Sequence, residues 1–144
     1  MRIYLDNCCF NRPFDDQSKI RVRLETEAKI RIQEELLHAK FELVWSYILE
    51  AENRANPFEE RKREISAWKR QALVKIEENP EILAKAKQFI RVGLREKDAL
   101  HISCAIAAAC KYFLTTDDKI LNKSRMIEEI AVIDPLEFIK EVYP

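Results

Sequence analysis

The sequence predicts a three-layer α/β sandwich, with helices on both faces of a central, mostly parallel sheet of about four strands. Three observations carry this. Short apolar runs at 2–5, 41–45, 112–115 and 130–133 alternate with longer segments of helical period. The stretch GLREKDALHISCAIAAACKYFLTTDDKIL, residues 93–121, reads as a helix that feeds a strand. Between 99 and 110 nearly every residue is small or apolar, with no Gly or Pro, which suits a helix buried on most of its circumference. Finally, 144 residues with 47% apolar and 35% charged content are enough for one domain over 1–144 to bury a core.

The bulk properties exclude several function classes. A formal charge of zero and a pI of about 6.8 rule out a molecule that binds nucleic acid through its overall charge, so any such contact needs a local patch. No apolar run approaches the roughly 20 residues of a membrane span. The first residues, MRIYLDNCCF, lack the long apolar region of a signal peptide, and the expectation is a cytoplasmic protein. Cys8, Cys9, Cys104 and Cys110 show no CxxC spacing, so all four are expected to be reduced core residues.

The elements follow in order. Residues 2–5 form a strand ending at Asp6, and 7–18 (NCCFNRPFDDQS) a polar loop. Residues 19–38 form a helix with Ile20, Leu24, Ala28, Ile32 and Leu36 inward, and with Arg21, Arg23, Glu25, Lys29, Arg31 and Glu34 as a solvated face. After the strand at 41–45, Ser46 caps a helix that fades at Asn56-Pro57. Residues 58–78 read as a charged helix with Ile65, Trp68, Ala72 and Ile76 inward. Residues 81–92 form the next helix, with Gly93 at its C-terminal end. Asp98 opens the buried helix, where a negative charge suits the exposed amides, and Asp117 lies just beyond the strand at 112–115. Residues 118–129 read as a short helix with Asp118 as its cap, and Asp134-Pro135 opens a terminal helix after the last strand.

The acids converge on one edge. In a helix-then-strand unit of a parallel sheet, the helix start and the strand end share an edge, so Asp98 and Asp117 are expected to be neighbours. Asp6 follows the first strand at that same edge, where open parallel sheets bind ligands. Helical phase from Ser46 turns Glu52 inward, on the face of Ile48 and Leu49, and leaves Glu50 on a solvated flank. Carboxylates aimed along apolar stripes with no basic partner beside them need compensation, best supplied by a divalent cation. His101, one turn from Asp98, is read as a hydrogen-bonded neighbour. Lys85, Lys87, Arg91, Arg95 and Lys97 lead into the site almost without acids and are the candidate phosphate contacts.

The segments LDNCCF, WSYILEAEN, KDALHISCAIAAAC and FLTTDDKIL resemble, in order and spacing, the successive acidic motifs of PIN-domain proteins. The resemblance spans nearly the whole chain and implies a PIN-like fold with the activity of a metal-dependent ribonuclease. Many small prokaryotic members of that family are the toxins of toxin–antitoxin pairs. It matches Asp6, Glu52, Asp98 and Asp117 to the family's catalytic, metal-holding acids and implies Mg²⁺ or Mn²⁺ as cofactor. Asn7 stands where the family often has a hydroxyl residue. Asn7, Thr115, Arg95 and Lys97 are the expected substrate contacts. RNA, a cognate antitoxin and a second copy of the chain are the partners it implies. The homodimer is expected to use helical surface and the residues Phe10, Phe14, Val22 and Ile30. Two alternatives stand beside this reading. One is a catalytically silent PIN-like protein-binding module. The other is an aspartyl phosphatase, which wants a second Asp where this chain has Cys8.

Overall fold

A computed structural model describes residues 1–144. The strands are β1 (Arg2–Leu5), β2 (Glu42–Ser46), β3 (Val74–Ile76), β4 (Tyr112–Leu114) and β5 (Ala131–Ile133). The helices are α1 (Asn7–Asn11), α2 (Ile20–Leu37), α3 (Tyr47–Arg54), α4 (Glu59–Lys69), α5 (Pro80–Arg91), α6 (Glu96–Ala107), α7 (Asp118–Leu121) and α8 (Pro135–Val142). All neighbouring strands pair in parallel, in the order β3-β2-β1-β4-β5. Chain travel runs outward from β1 to β3, then returns across the sheet to β4 and β5. Right-handed crossovers therefore put helices on both faces. The reversal makes β1 the point where the strand order switches, and a crevice opens there at the carboxyl ends of the strands.

The core surrounds β1. Ile3, Tyr4 and Leu5 are fully buried, and the Tyr4 ring stacks on Phe113 with centroids 5.2 Å apart. Phe138 of α8 closes the far end, edge-on to Phe41 at 5.3 Å and to Tyr112 at 5.1 Å. No helix is long and apolar enough to cross a membrane.

The sheet has five strands, not four. The expected helix at 58–78 stops at Lys69, and Val74–Ile76 adds a strand to the free edge of β2. Over three residues an edge strand leaves no pattern distinct from a helical one, and its backbone bonds exist only once β2 is in place. The expected loop at 7–18 contains α1 and a 3₁₀ turn, Arg12–Phe14. Asp6 caps α1 by accepting from the Asn7 amide, and Cys9 and Phe10 anchor it by full burial. The helix expected at 118–129 is reduced to α7 and a 3₁₀ turn at Ser124–Met126. Asp134 accepts from the Glu137 amide, as the cap expected of it does.

Helix α2 buries Ala28, Ile32 and Leu36 as expected, but its buried stripe is shifted in phase. Ile20 and Leu24 are exposed, whereas Val22, Glu25, Lys29 and Glu35 are buried. The buried acids carry their own partners. Arg12 lies 3.0 Å from Glu25, while Lys40 and the Tyr143 hydroxyl reach Glu35 at 3.0 and 2.6 Å. Arg21 and Arg31 of the same helix add to these pairs at 3.5 and 3.2 Å, and paired charge is tolerated inside.

Gly93 closes α5 in a Schellman arrangement. Its amide reaches the Ile90 carbonyl at 3.0 Å and the Leu94 amide reaches that of Phe89 at 3.1 Å. Ala39 and Ala109 fill the same role after α2 and α6 at φ 58°, which an L-residue adopts at modest strain. Gly93 sits at φ 103°, and a Cβ there would meet Lys123 Nζ at 2.8 Å. Gly93→Ala is therefore expected to cost about 1–2 kcal/mol in urea unfolding. An unchanged midpoint would show that this turn relaxes freely.

Candidate active site

β1 delivers the first acid. Asp6 is 6% exposed. Its carboxylate accepts from the Asn7 amide at 2.8 Å, from the Thr115 hydroxyl at 2.8 Å and from Cys8 Sγ at 3.4 Å. The parallel register Leu5↔Leu114 sets Asp6 beside Thr115, so the contact follows from strand pairing. Thr115 is fully buried, and its hydroxyl also accepts from the Asp117 amide at 3.1 Å. It links two acids and has no surface for the phosphate contact expected of it. Asp117, not Asp118, caps α7 by accepting from Lys119 N at 2.9 Å. Asp118 instead forms a two-pronged pair with Arg21, at 2.7 and 2.8 Å.

α3 delivers Glu52. Ser46 caps this helix through Leu49 N at 3.1 Å, as expected, and Glu52 meets His101 Nε2 of α6. The imidazole is fully enclosed. Its Nδ1 lies 2.6 Å from the Tyr4 hydroxyl, which lies 2.6 Å from Ser46 Oγ. A continuous polar chain, Ser46–Tyr4–His101–Glu52, thus ties β2, β1, α6 and α3 together behind the cleft. Burial opposes charge on His101, but the bond to Glu52 and the nearby Asp6 carboxylate outweigh it and raise its pKa above the ordinary value. Burial likewise pushes Glu52 up, and the His101 bond and charge outweigh it and hold Glu52 below the usual range. Asn7 Nδ2 donates to the other Glu52 oxygen at 3.3 Å.

Asp98 lies in the first turn of α6, and its pKa is raised. Burial is the main cause, and the Asp6 and Asp117 carboxylates add to it against the pull of Arg95. Arg95 sits between the two neighbours, with Nε 2.7 Å from Asp98 and Nη2 2.5 Å from Asp117. The acids were expected to lack basic partners, and Arg95 corrects that. It was unforeseen because Arg95, the residue immediately before the helix, turns back over its first turn. Glu50 also departs from expectation. Rather than being solvated, it accepts from Trp45 Nε1 at 2.9 Å and pairs with Lys69 at 3.1 Å.

Asp6, Asn7, Cys8, Glu52, Arg95, Glu96, Lys97, Asp98 and Asp117 line one cleft of about 410 Å³. Five carboxylates there face two cations. No three of the acidic, imidazole or thiol groups stand close enough to enclose an ion as they are arranged. Of the basic run, Arg95 and Lys97 reach the cleft, and Lys85 is spent on Glu129 at 2.5 Å. All four cysteines are free. Cys8 departs from the core role expected of it and sits half-buried against Asp6 and Thr115. Tyr4 also escaped the sequence reading, because a Tyr in a central strand looks like any core aromatic. His101 had a signal in its three-residue spacing from Asp98, which puts both on one helix face.

Comparison with curated proteins gives no match. Among solved structures, a chain of VapBC-1 from nontypeable Haemophilus influenzae superposes with a TM-score of 0.61 at 17% identity, covering 94% of this chain and 99% of that one. A chain of FitAcB from Neisseria gonorrhoeae gives 0.59 at 16% identity, covering 93% and 98%. A chain of VapBC2 from Rickettsia felis, in a structure bound to a promoter DNA fragment, gives 0.58 at 14%, covering 92% and 97%. These likenesses concern the fold. The model of the PIN domain matches residues 3–125, from β1 into the 3₁₀ turn at Ser124–Met126, and takes in every acid of the cleft. With that match over most of its length, the chain belongs to the PIN-domain family.

Proposed function

We propose that this chain is a divalent-metal-dependent endoribonuclease that hydrolyses RNA phosphodiester bonds. It acts as a single cytoplasmic nuclease domain over 1–144 and as the toxin component of a toxin–antitoxin pair. The observation that carries the reading is the excess of carboxylates in one cleft at the strand-order switch, with Asp98 raised toward its neutral form by burial and two like charges. A polyanionic substrate would be repelled by such a cleft unless its sign were reversed.

The donor set fits Mg²⁺ or Mn²⁺. All candidate ligands are oxygens, and magnesium keeps several waters, so it needs only one or two carboxylates directly rather than a closed cage. Asp6 and Asp117 would hold the ion directly, with Glu52 and Asp98 bonded directly or through water. When bound, the ion supplies a water of lowered pKa and charge stabilisation for the leaving oxygen. The chain's own residues do the rest. Thr115 and the Asn7 amide fix the Asp6 carboxylate, and His101 fixes Glu52. Lys97 and Arg95 supply positive charge for the phosphate, and the Asn7 amide group offers a hydrogen bond beside it.

RNA cleavage with and without Mn²⁺, on structured and single-stranded substrates, tests the reading. Cleavage dependent on Mn²⁺ is expected. A second reading, a silent PIN-like binding module, draws on Arg95, which already neutralises Asp98 and Asp117. A silent scaffold shows no Mn²⁺-dependent thermal stabilisation, whereas the nuclease does.

For partners, the similar VapBC2 structure is described as bound to DNA from 'their promoter', more than one component, and the resemblance to small prokaryotic PIN-domain toxins implies a cognate antitoxin here. Of the residues first expected to form the homodimer, Ile30 keeps an exposed position. Phe10 and Val22 are buried within the chain, while Ile20, Leu24, Ile30 and Leu37 of α2 are exposed. An apolar helix face of this kind suits association. Light scattering at micromolar concentration is expected to give twice the 17.0 kDa chain mass. A value at the chain mass rules the dimer out.

A further inference from the structure

Arg95 is bound to the acids rather than open to a phosphate. Its planar fork spans two elements, gripping Asp98 Oδ2 at the start of α6 and Asp117 Oδ2 beyond β4. The two sides of this contact differ in freedom. Asp98 and Asp117 are 13% and 28% exposed, and Asp117 is further fixed by the Lys119 amide. The Arg95 side chain is 55% exposed, so it leaves without disturbing the core. Lys97 lines the same cleft yet forms no ion pair.

We propose that Arg95 is a built-in counter-cation. It holds Asp98 and Asp117 together in the metal-free protein, is displaced when a divalent ion takes those oxygens, and is thereby released toward the substrate phosphate. The proposal rests on the metal-dependent reading above. Its physical basis is competition. Without Arg95 the two carboxylates, together with Asp6, repel one another, and one positive group relieves them at a time. An ion that must first dislodge Arg95 binds with an apparent affinity reduced by the fraction of time the arginine is in place. Metal occupancy and the freedom of a phosphate-binding cation then become a single linked event. The cleft presents Arg95 to RNA only once the ion is present.

Mn²⁺ titration followed by electron paramagnetic resonance of the free ion tests this in the wild type, Arg95→Ala and Lys97→Ala, each checked for folding by thermal unfolding. Arg95→Ala is expected to tighten Mn²⁺ binding about tenfold, the loss of a two-carboxylate contact. Lys97→Ala removes the same charge from the same cleft without removing a carboxylate contact, and is expected to tighten it no more than about threefold. In parallel, the Arg95 Nε–H resonance in ¹H–¹⁵N spectra is expected to lose its hydrogen-bonded position on addition of Mg²⁺. Equal effects of the two substitutions, or an Arg95 resonance unmoved at saturating Mg²⁺, would overturn the proposal while leaving the metal reading intact. Mn²⁺ binding by none of the three proteins would overturn both.

Discussion

Asp6→Asn is expected to lower the rate of Mn²⁺-dependent RNA cleavage by about 10³-fold or more, the consequence of losing several kcal/mol of metal-centred stabilisation. The fold should survive, because the change is isosteric and the anchors remain. The Asn oxygen still accepts from the Asn7 amide, and the new amide group faces Thr115 Oγ1, which has a lone pair to offer. Stability without metal is expected to hold or rise, since one of several clustered negative charges disappears. Asp117→Asn should behave in the same way. The measurements are a cleavage time course and a thermal unfolding curve on the same preparations. Full activity in a folded variant carrying both changes would remove these residues from the metal site.

Glu52→Gln and Glu50→Gln are expected to separate cleanly. They lie two residues apart on α3 and face different neighbours. Glu52 looks into the cleft against His101 and Asn7, while Glu50 is held by Trp45, Lys69 and Arg54. Glu52→Gln removes a charge that the proposed chemistry uses, and a loss of about 10²-fold in cleavage is expected. Glu50→Gln breaks part-exposed ion pairs, and should leave cleavage within a few-fold of wild type while costing up to about 1 kcal/mol of stability. Assaying both variants with the same RNA, and following their urea unfolding, settles the assignment. Loss of cleavage in Glu50→Gln alone would mean that a separate pocket, lined by Glu50, Lys69 and Lys75 among others, carries the chemistry instead.

The sequence by itself determined the layered α/β class, the outer ends of most elements and the edge on which the acids gather. These are properties of short segments. Ser46 and Asp134 cap their helices through their own following amides. Gly93 takes a positive φ, and the 99–110 run is apolar on nearly all sides wherever it packs. The strand–helix alternation then places Asp6, Asp98 and Asp117 at one edge by topology alone.

Only the tertiary structure decided the rest, through partners that local periodicity does not identify. β3 exists because β2 had a free edge. The buried face of α2 takes in Glu25 and Glu35 beside its apolar residues because Arg12, Lys40 and Tyr143 pair with them. Tyr4 and His101, 97 positions apart, became one polar chain because α6 crosses β1. Arg95 illustrates the limit at short range. Its neighbours in sequence identify it as a cation near an acid, but which oxygens it grips depends on how far β4 carries Asp117 toward the start of α6. Periodicity and capping act within a few residues, whereas charge pairing and edge-strand hydrogen bonding depend on three-dimensional distance, which local pattern does not encode.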